Sequence, residues 1–344
     1  MKSSFFSTAV FVTAISCNSL FAQDNGAVEH LNTLNSINNP ITTKTWEYTS
    51  AVAKDKGARK IDKKRSSLIS EMNGAIQHVK NTPAYKGDAS YRDSVVAFLE
   101  MNKAVLVDDY SKIVDMETVA EESYDLMEAY LKVQEIANEK MQQASDRLNN
   151  QLHVFGEKYD IQIIEGEASK MSLRVAQANR MWKYYNEVYL IFFKPYKQEA
   201  YFMDAVQRGD VNAMEQNKNS LAEFAKEGLE KLKSISNFDG DASLKESCIA
   251  ILEFYQEEAE KHFPVLTDFY LKKELFEKTQ QAFEKLSKKE QTKEAIEKYN
   301  AAITDYNNST QNYNATNEKL NSMRSKQLDN WNKSTSRFTS KHVK

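Results

Sequence analysis

Along the last part of the chain, seam positions recur at alternating steps of three and four: Ile296, Tyr299, Ile303, Tyr306, Thr310, Tyr313, Asn317 and Leu320. This seven-residue period predicts a helix with one seam against a neighbour, as in a left-handed bundle or coiled coil. Within it Tyr-Asn recurs at Tyr299-Asn300, Tyr306-Asn307 and Tyr313-Asn314, and Leu320-Asn321 continues the step. The plain expectation is a semi-polar helix–helix seam; the functional alternative is an exposed Tyr/Asn face that binds a sugar or a partner. Ala137, Met141, Ala144 and Leu148 share another helical face, small enough for close approach of a neighbour. From Met181 to Phe193 the chain is apolar nearly all round, the pattern of a helix central to its bundle.

The periodic stretches predict helices over about 27–37, 43–82, 90–112, 118–159, 169–208, 210–234, 243–286 and 287–339, with a brief extended connector at 160–164. Pro195 and Pro264 fall inside two of these and predict kinks, because each removes a backbone donor and crowds the preceding turn. Thr118/Glu121, Ser243/Glu246 and Ser287/Glu290 fit capping boxes. Arg208-Gly209-Asp210 reads as one helix ending on Gly and the next capped by Asp. Only 9 Gly and 4 Pro are present in 344 residues, which disfavours turn-rich β folds. The expected fold is therefore all-α: an elongated antiparallel bundle of long, partly kinked helices with a coiled-coil-like C-terminal helix.

The first 22 residues read as a secretory signal peptide: Met1-Lys2, an apolar run from Phe5 to Ile15, and Ala22 before Gln23 as the cut. The alternative is a lipoprotein-type box, Ala14-Ile15-Ser16-Cys17, with Cys17 as lipid anchor. Residues 23–42 then form an N-terminal extension with a short helix, and 43–344 a single helical-bundle domain. Cleavage after Ala22 leaves Cys248 as the one cysteine, so no internal disulfide forms. Its apolar surroundings, Cys248-Ile249-Ala250-Ile251-Leu252, predict an inert buried thiol.

Catalytic and cofactor patterns do not emerge. No acidic residue stands three before any histidine, so the Glu-x-x-His pattern of di-iron bundles is absent. Glu258 and His262 are four apart and read as a surface pair. Asn237-x-Asp239-x-Asp241 begins like a calcium loop, but Ala242 and Cys248 stand where that loop needs Gly and Glu, so a turn explains it better. There is no Gly-x-Ser-x-Gly, no Walker loop and no Gly-x-Gly-x-x-Gly. No cofactor, metal or catalytic residue is expected.

Formal net charge is −3, which argues against nucleic acid as a partner. The local pattern says more. In a helix Lys56, Arg59, Lys60, Lys63 and Lys64 share one side, while Ala58, Ile61, Leu68 and Met72 face the core. Such a basic face suits anionic lipid headgroups, polysaccharide or nucleic acid, of which the overall charge disfavours the last, and an envelope protein is a further candidate partner; the plainer alternative is a solvated face paired with acids of the next helix. The basic C-terminal stretch, with Arg324, Lys326, Lys333, Arg337, Lys341 and Lys344, suits a helix C-terminus.

Asn330-Trp331-Asn332-Lys333, Phe338 and Lys341-His342-Val343-Lys344, together with the Tyr-Asn heptads, resemble a family of uncharacterised surface proteins of Bacteroidetes-like and leptospiral bacteria, often described as lipoproteins. The likeness is confined to the C-terminal segment; it implies envelope localisation and a helical fold, and no activity. The expected function is thus a non-enzymatic binding or structural module of the cell envelope. A membrane-active helical protein and, less favoured, a metal-dependent helical-bundle enzyme are the alternatives.

Overall fold

Helices α1 (Asn25–Asn35), α2 (Asn38–Ala53), α3 (Ala58–Asn81) and α4 (Ser90–Ala104) open the chain. Then come α5 (Tyr124–Lys158), α6 (Lys170–Arg208), α7 (Val211–Ser234), α8 (Ser243–Glu257), α9 (Phe263–Glu284) and α10 (Lys293–His342). Two π turns continue α4 and α8, at Val105–Asp109 and Glu258–His262. Strands β1 (Ser19–Ala22) and β2 (Ile161–Ile164) pair antiparallel, Ala22 opposite Ile161. These elements come from a computed structural model that describes residues 19–22, 25–53, 57–109, 116, 119–164 and 169–343. Cys17, Gln23, Lys56 and Thr118 lie outside the described residues. The all-α helical bundle is as expected.

Helix ends depart from expectation in several places. The stretch 43–82 is two helices, broken before α3 at Gly57, whose φ of 80° suits glycine and interrupts a right-handed helix. α5 is capped by Ser123, whose hydroxyl accepts from the Leu126 N–H at 3.2 Å. At the start of α8 the Ser243 side chain makes no cap bond; Asp241 Oδ1 instead accepts from the Ser243 N–H at 2.9 Å. Elsewhere the expectation holds: Asp210 caps α7 through the Ala213 N–H at 3.0 Å, after Gly209 at φ 69°. Ser287 and Glu290 do bond each other, but in the turn before α10, which Thr292 caps.

The chain divides into two compact units, residues 1–186 with 337–344, and 187–336. Inside each lies the same helical hairpin, repeated at one constant spacing. α3 and α7 begin and end at equivalent positions, as do the two π turns. The sequence repeats Gly-Asp-Ala-Ser at 87–90 and 240–243, then matches Ser94/Ser247, Ala97/Ala250, Leu99/Leu252 and Glu100/Glu253. Both hairpin turns use two successive left-handed residues, Lys86 and Gly87 in one, Asp239 and Gly240 in the other. Both are closed by a bridge, Tyr85 to Asp88 and Phe238 to Asp241. Arg92 donates to the Thr82 carbonyl, and Lys245 at the matching position to Ile235. Pro264 does not explain the π turn, because the first repeat makes one with no proline.

Packing in the first unit centres on Phe155 of α5, which is 1% exposed. Its ring lies 4.6 Å from Tyr159 and 5.9 Å from both His30 and Tyr91, centre to centre. In the second unit Phe202 stacks on Phe263 at 3.4 Å, and Phe192 on Trp331 at 4.4 Å. The Tyr-Asn heptads of α10 face α9: Tyr299, Tyr306 and Tyr313 pair with Phe283, Phe276 and Phe269, while the asparagines stay exposed. The tyrosines thus form a helix–helix seam with one phenylalanine opposite each ring.

Two glycines give a measurable contrast. A Cβ at Gly74, on the exposed side of α3, meets nothing within 4 Å. The matching residue of α7 is Glu227. A Cβ at Gly228 would meet Leu252 at 2.9 Å and Ile191 at 3.0 Å. Gly74→Ala is expected to stabilise by about 0.5–1 kcal/mol, by reducing the freedom of the unfolded chain. Gly228→Ala is expected to destabilise, because buried Leu252 and half-buried Ile191 must give way. Urea denaturation of both variants checks the opposite signs.

Candidate functional site

Two places concentrate chemistry, one in each repeat. The first is the basic face of α3. Ile61, Leu68 and Met72 are buried, so the opposite side of the helix is turned to solvent. Arg59, Lys60 and Lys63 are exposed, and no ion pair among the described residues engages them. Lys64 differs: its ammonium lies 2.7 Å from Glu47 of α2, and that bond holds the Glu47 carboxyl below the ordinary carboxylate range. Arg65 pairs with Asp62 at 2.8 Å and donates to the Leu106 carbonyl in the π turn at 3.0 Å. Among the described residues the proposed five-residue face therefore comes down to Arg59, Lys60 and Lys63.

In the second repeat the positions of these three bases hold Asn212, Ala213 and Gln216, whereas the Asp62–Arg65 pair recurs as Glu215–Lys218. The intrahelical pair therefore belongs to both copies of the hairpin, and the exposed bases to one.

The second place was not read from the sequence. Glu199 of α6, Glu258 of the π turn and Arg324 of α10 meet in the core of the second unit. Glu199 is 6% exposed and Glu258 0%. Arg324 Nε donates to Glu258 Oε1 at 2.6 Å and lies 2.6 Å from Glu199 Oε1; Nη2 also contacts Glu258. Tyr255, fully buried, sits beside Glu199, and burial followed by the two carboxyl charges pushes its phenol far up. The Phe263 ring lies 5.7 Å from the guanidinium carbon. Burial also raises Glu258 well above the carboxylate range, and the Glu199 charge adds to it.

The expectation that Glu258 and His262 form a surface pair is corrected. Glu258 is buried, and His262 Nε2 lies 4.0 Å from Glu257 instead. The π turn accounts for this, since its wider winding breaks the i, i+4 register on which that pairing rests. Burial, then Lys319, pushes the His262 imidazole below its ordinary value, so it stays neutral at pH 7.

Other singled-out residues take structural parts. Cys248 is buried, its thiol facing the Val188 carbonyl, and burial pushes it above its ordinary range. Asp239 and Asp241 build the hairpin turn. Arg208 pairs with Asp204 and Asp210. Ala144 and Leu148 line a shallow groove with Phe98 and Met101. Among the described residues no group of three or more His, Cys, Asp or Glu side chains could hold a metal ion. No described helix is long and apolar enough to cross a membrane.

The chain matches no protein-family model, no curated protein and no solved structure. Its own duplication is therefore the comparison by which fold is separated from function.

Proposed function

We propose that this is an exported envelope protein acting as a non-enzymatic binding module, and that the α3 face of its first repeat holds an anionic surface. The observation that carries this reading is one-sidedness. Arg59, Lys60 and Lys63 are exposed in one copy of the hairpin and replaced by Asn212, Ala213 and Gln216 in the other. A hairpin that forms with neutral residues at these positions does not need the bases for folding. Export rests on the Met1–Ala22 pattern, and an envelope location also on the C-terminal resemblance. A non-enzymatic role is supported by the acid–base cluster of the second repeat, whose two carboxyl groups are buried.

Each base near an anionic surface contributes about 1 kcal/mol. Lys60→Glu with Lys63→Glu should therefore lower affinity for anionic vesicles or heparin at least tenfold, with the effect shrinking as salt rises. Far-ultraviolet circular dichroism of the variant should match the parent. Equal retention of the two proteins on heparin and on anionic vesicles would leave the face as an ordinary solvated surface and sink the proposal.

A further inference from the structure

The buried cluster of the second repeat has more acid than base. Glu199, Glu258 and Arg324 all ionised would leave one uncompensated negative charge in a volume closed to solvent, which is strongly disfavoured. Geometry adds a second constraint. One nitrogen, Arg324 Nε, lies 2.6 Å from an oxygen of each carboxyl group, so the two carboxyls converge on the same N–H. An ionised carboxylate only accepts, so a bond between two carboxyl groups requires a proton on one of them. We infer that Glu199 and Glu258 form a proton-binding site, occupied by a single shared proton in the folded protein at neutral pH.

Glu258 is the protonated partner. It is the more deeply buried of the two, and no N–H or O–H donor among the described residues reaches its Oε2, as a protonated oxygen requires. Glu199 is then the carboxylate that neutralises Arg324, and the cluster carries no net charge. The first repeat shows that the fold does not require these groups. It makes the same π turn with Val105 at the position of Glu258 and Asn102 at that of Tyr255. Along α2 and α6 the same spacing aligns buried Thr42, Trp46, Thr49 and Val52 with buried Pro195, Glu199, Phe202 and Ala205. Trp46 thus stands where Glu199 does.

Titratable and charged neighbours come from every side. α6 brings Tyr196 with Glu199, and α8 brings Tyr255 and Glu257. The π turn adds Lys261 and His262 to Glu258, and α10 adds Lys319 to Arg324. From α7, Lys218 holds the position whose counterpart Arg65 reaches the first π turn, and it is tied to Glu215. α9 contributes the Phe263 ring. No second base among these reaches the carboxyl pair, so loss of the proton leaves the pair with one guanidinium for two charges.

The proton couples stability to pH with a definite sign. Glu258 releases its proton near pH 4.5 in the unfolded chain and well above that when folded. Between those values the folded protein holds one more proton than the unfolded chain. The stabilisation is fully present below the unfolded value and is lost as pH rises through the folded one. Across that window the folding constant falls about tenfold per pH unit.

The test is denaturation of the full chain and of Glu258→Gln between about pH 5 and pH 9, with infrared spectra at neutral pH. The Gln amide can donate to Glu199 as the shared proton does, without titrating. The expected result is a pH dependence shallower by one proton in the variant, and a variant more stable than the parent at the alkaline end. The parent should also show a carboxylic-acid C=O band at neutral pH that the variant lacks. Should Glu258→Gln not fold, Glu199→Gln leaves one carboxylate on Arg324 and is expected to flatten the profile equally. Equal slopes in parent and variant, or no carboxylic-acid band in the parent, would overturn the inference.

Discussion

Arg324→Met is expected to destabilise the protein by about 3–5 kcal/mol, the range for removing one partner of a buried ion pair. The effect comes from what is left behind. Glu199 and Glu258 lose the one guanidinium that compensates them and must both be protonated to remain in the core. Packing contributes less, because methionine keeps much of the aliphatic stem against Phe263. Guanidinium denaturation at pH 7 measures the loss. The triple variant Arg324→Met, Glu199→Gln, Glu258→Gln separates charge from shape. Replacing a whole buried ionic cluster by neutral groups is often neutral or stabilising, so the triple variant should recover most of what the single one loses. A triple variant no more stable than Arg324→Met would show that the guanidinium acts through packing and not through charge.

Phe155→Ala should cost about 3–5 kcal/mol, as expected for a buried aromatic truncated to a methyl. Phe155 is the ring at which several elements meet: His30 of α1, Tyr85 of the hairpin turn, Tyr91 of α4 and Tyr159 at the end of α5. Two of these neighbours are held back from the space, Tyr91 by its hydroxyl bond to Asn35 and Tyr159 by its hydroxyl bond to Asp88. Phe155→Leu keeps most of the volume and should cost less than half as much. The order of the two urea midpoints is the check, and equal midpoints would mean that the aromatic cluster relaxes around the gap.

Helix content and most breaks could be read directly, because amphipathic period and scarce glycine act locally. Asp210 at the start of α7 and the heptad tyrosines of α10 are examples. The duplication was also present in the letters, as Gly-Asp-Ala-Ser written twice, but a reading of 43–344 as one bundle passes over it. Outside the turn the copies share mainly helical phase, which many unrelated helices also share. The buried cluster was harder to see for a physical reason. Glu199, Glu258 and Arg324 are far apart in sequence, so no local spacing joins them. Glu258, moreover, continues the buried stripe of α8 at helical spacing from Ile251 and Tyr255, but its charge makes it read as a surface residue. The basic face shrank because Glu47, from the preceding helix, claims Lys64, while Lys56 lies outside the described residues.

On the proposed export, the small β pair would set an order of events. Cleavage after Ala22 would remove all of β1, since that strand ends on Ala22. On that reading the peptidase and β2 would compete for the same four residues, and whichever reached them first would decide the outcome. If Ser19–Ala22 pairs first, the bond to be cut is anchored at the end of a hydrogen-bonded ladder and held away from an extended-chain protease cleft. If the cut comes first, the backbone of Ile161–Ile164 is left without its partner. Cleavage at Cys17 avoids that contest, because it leaves the strand attached.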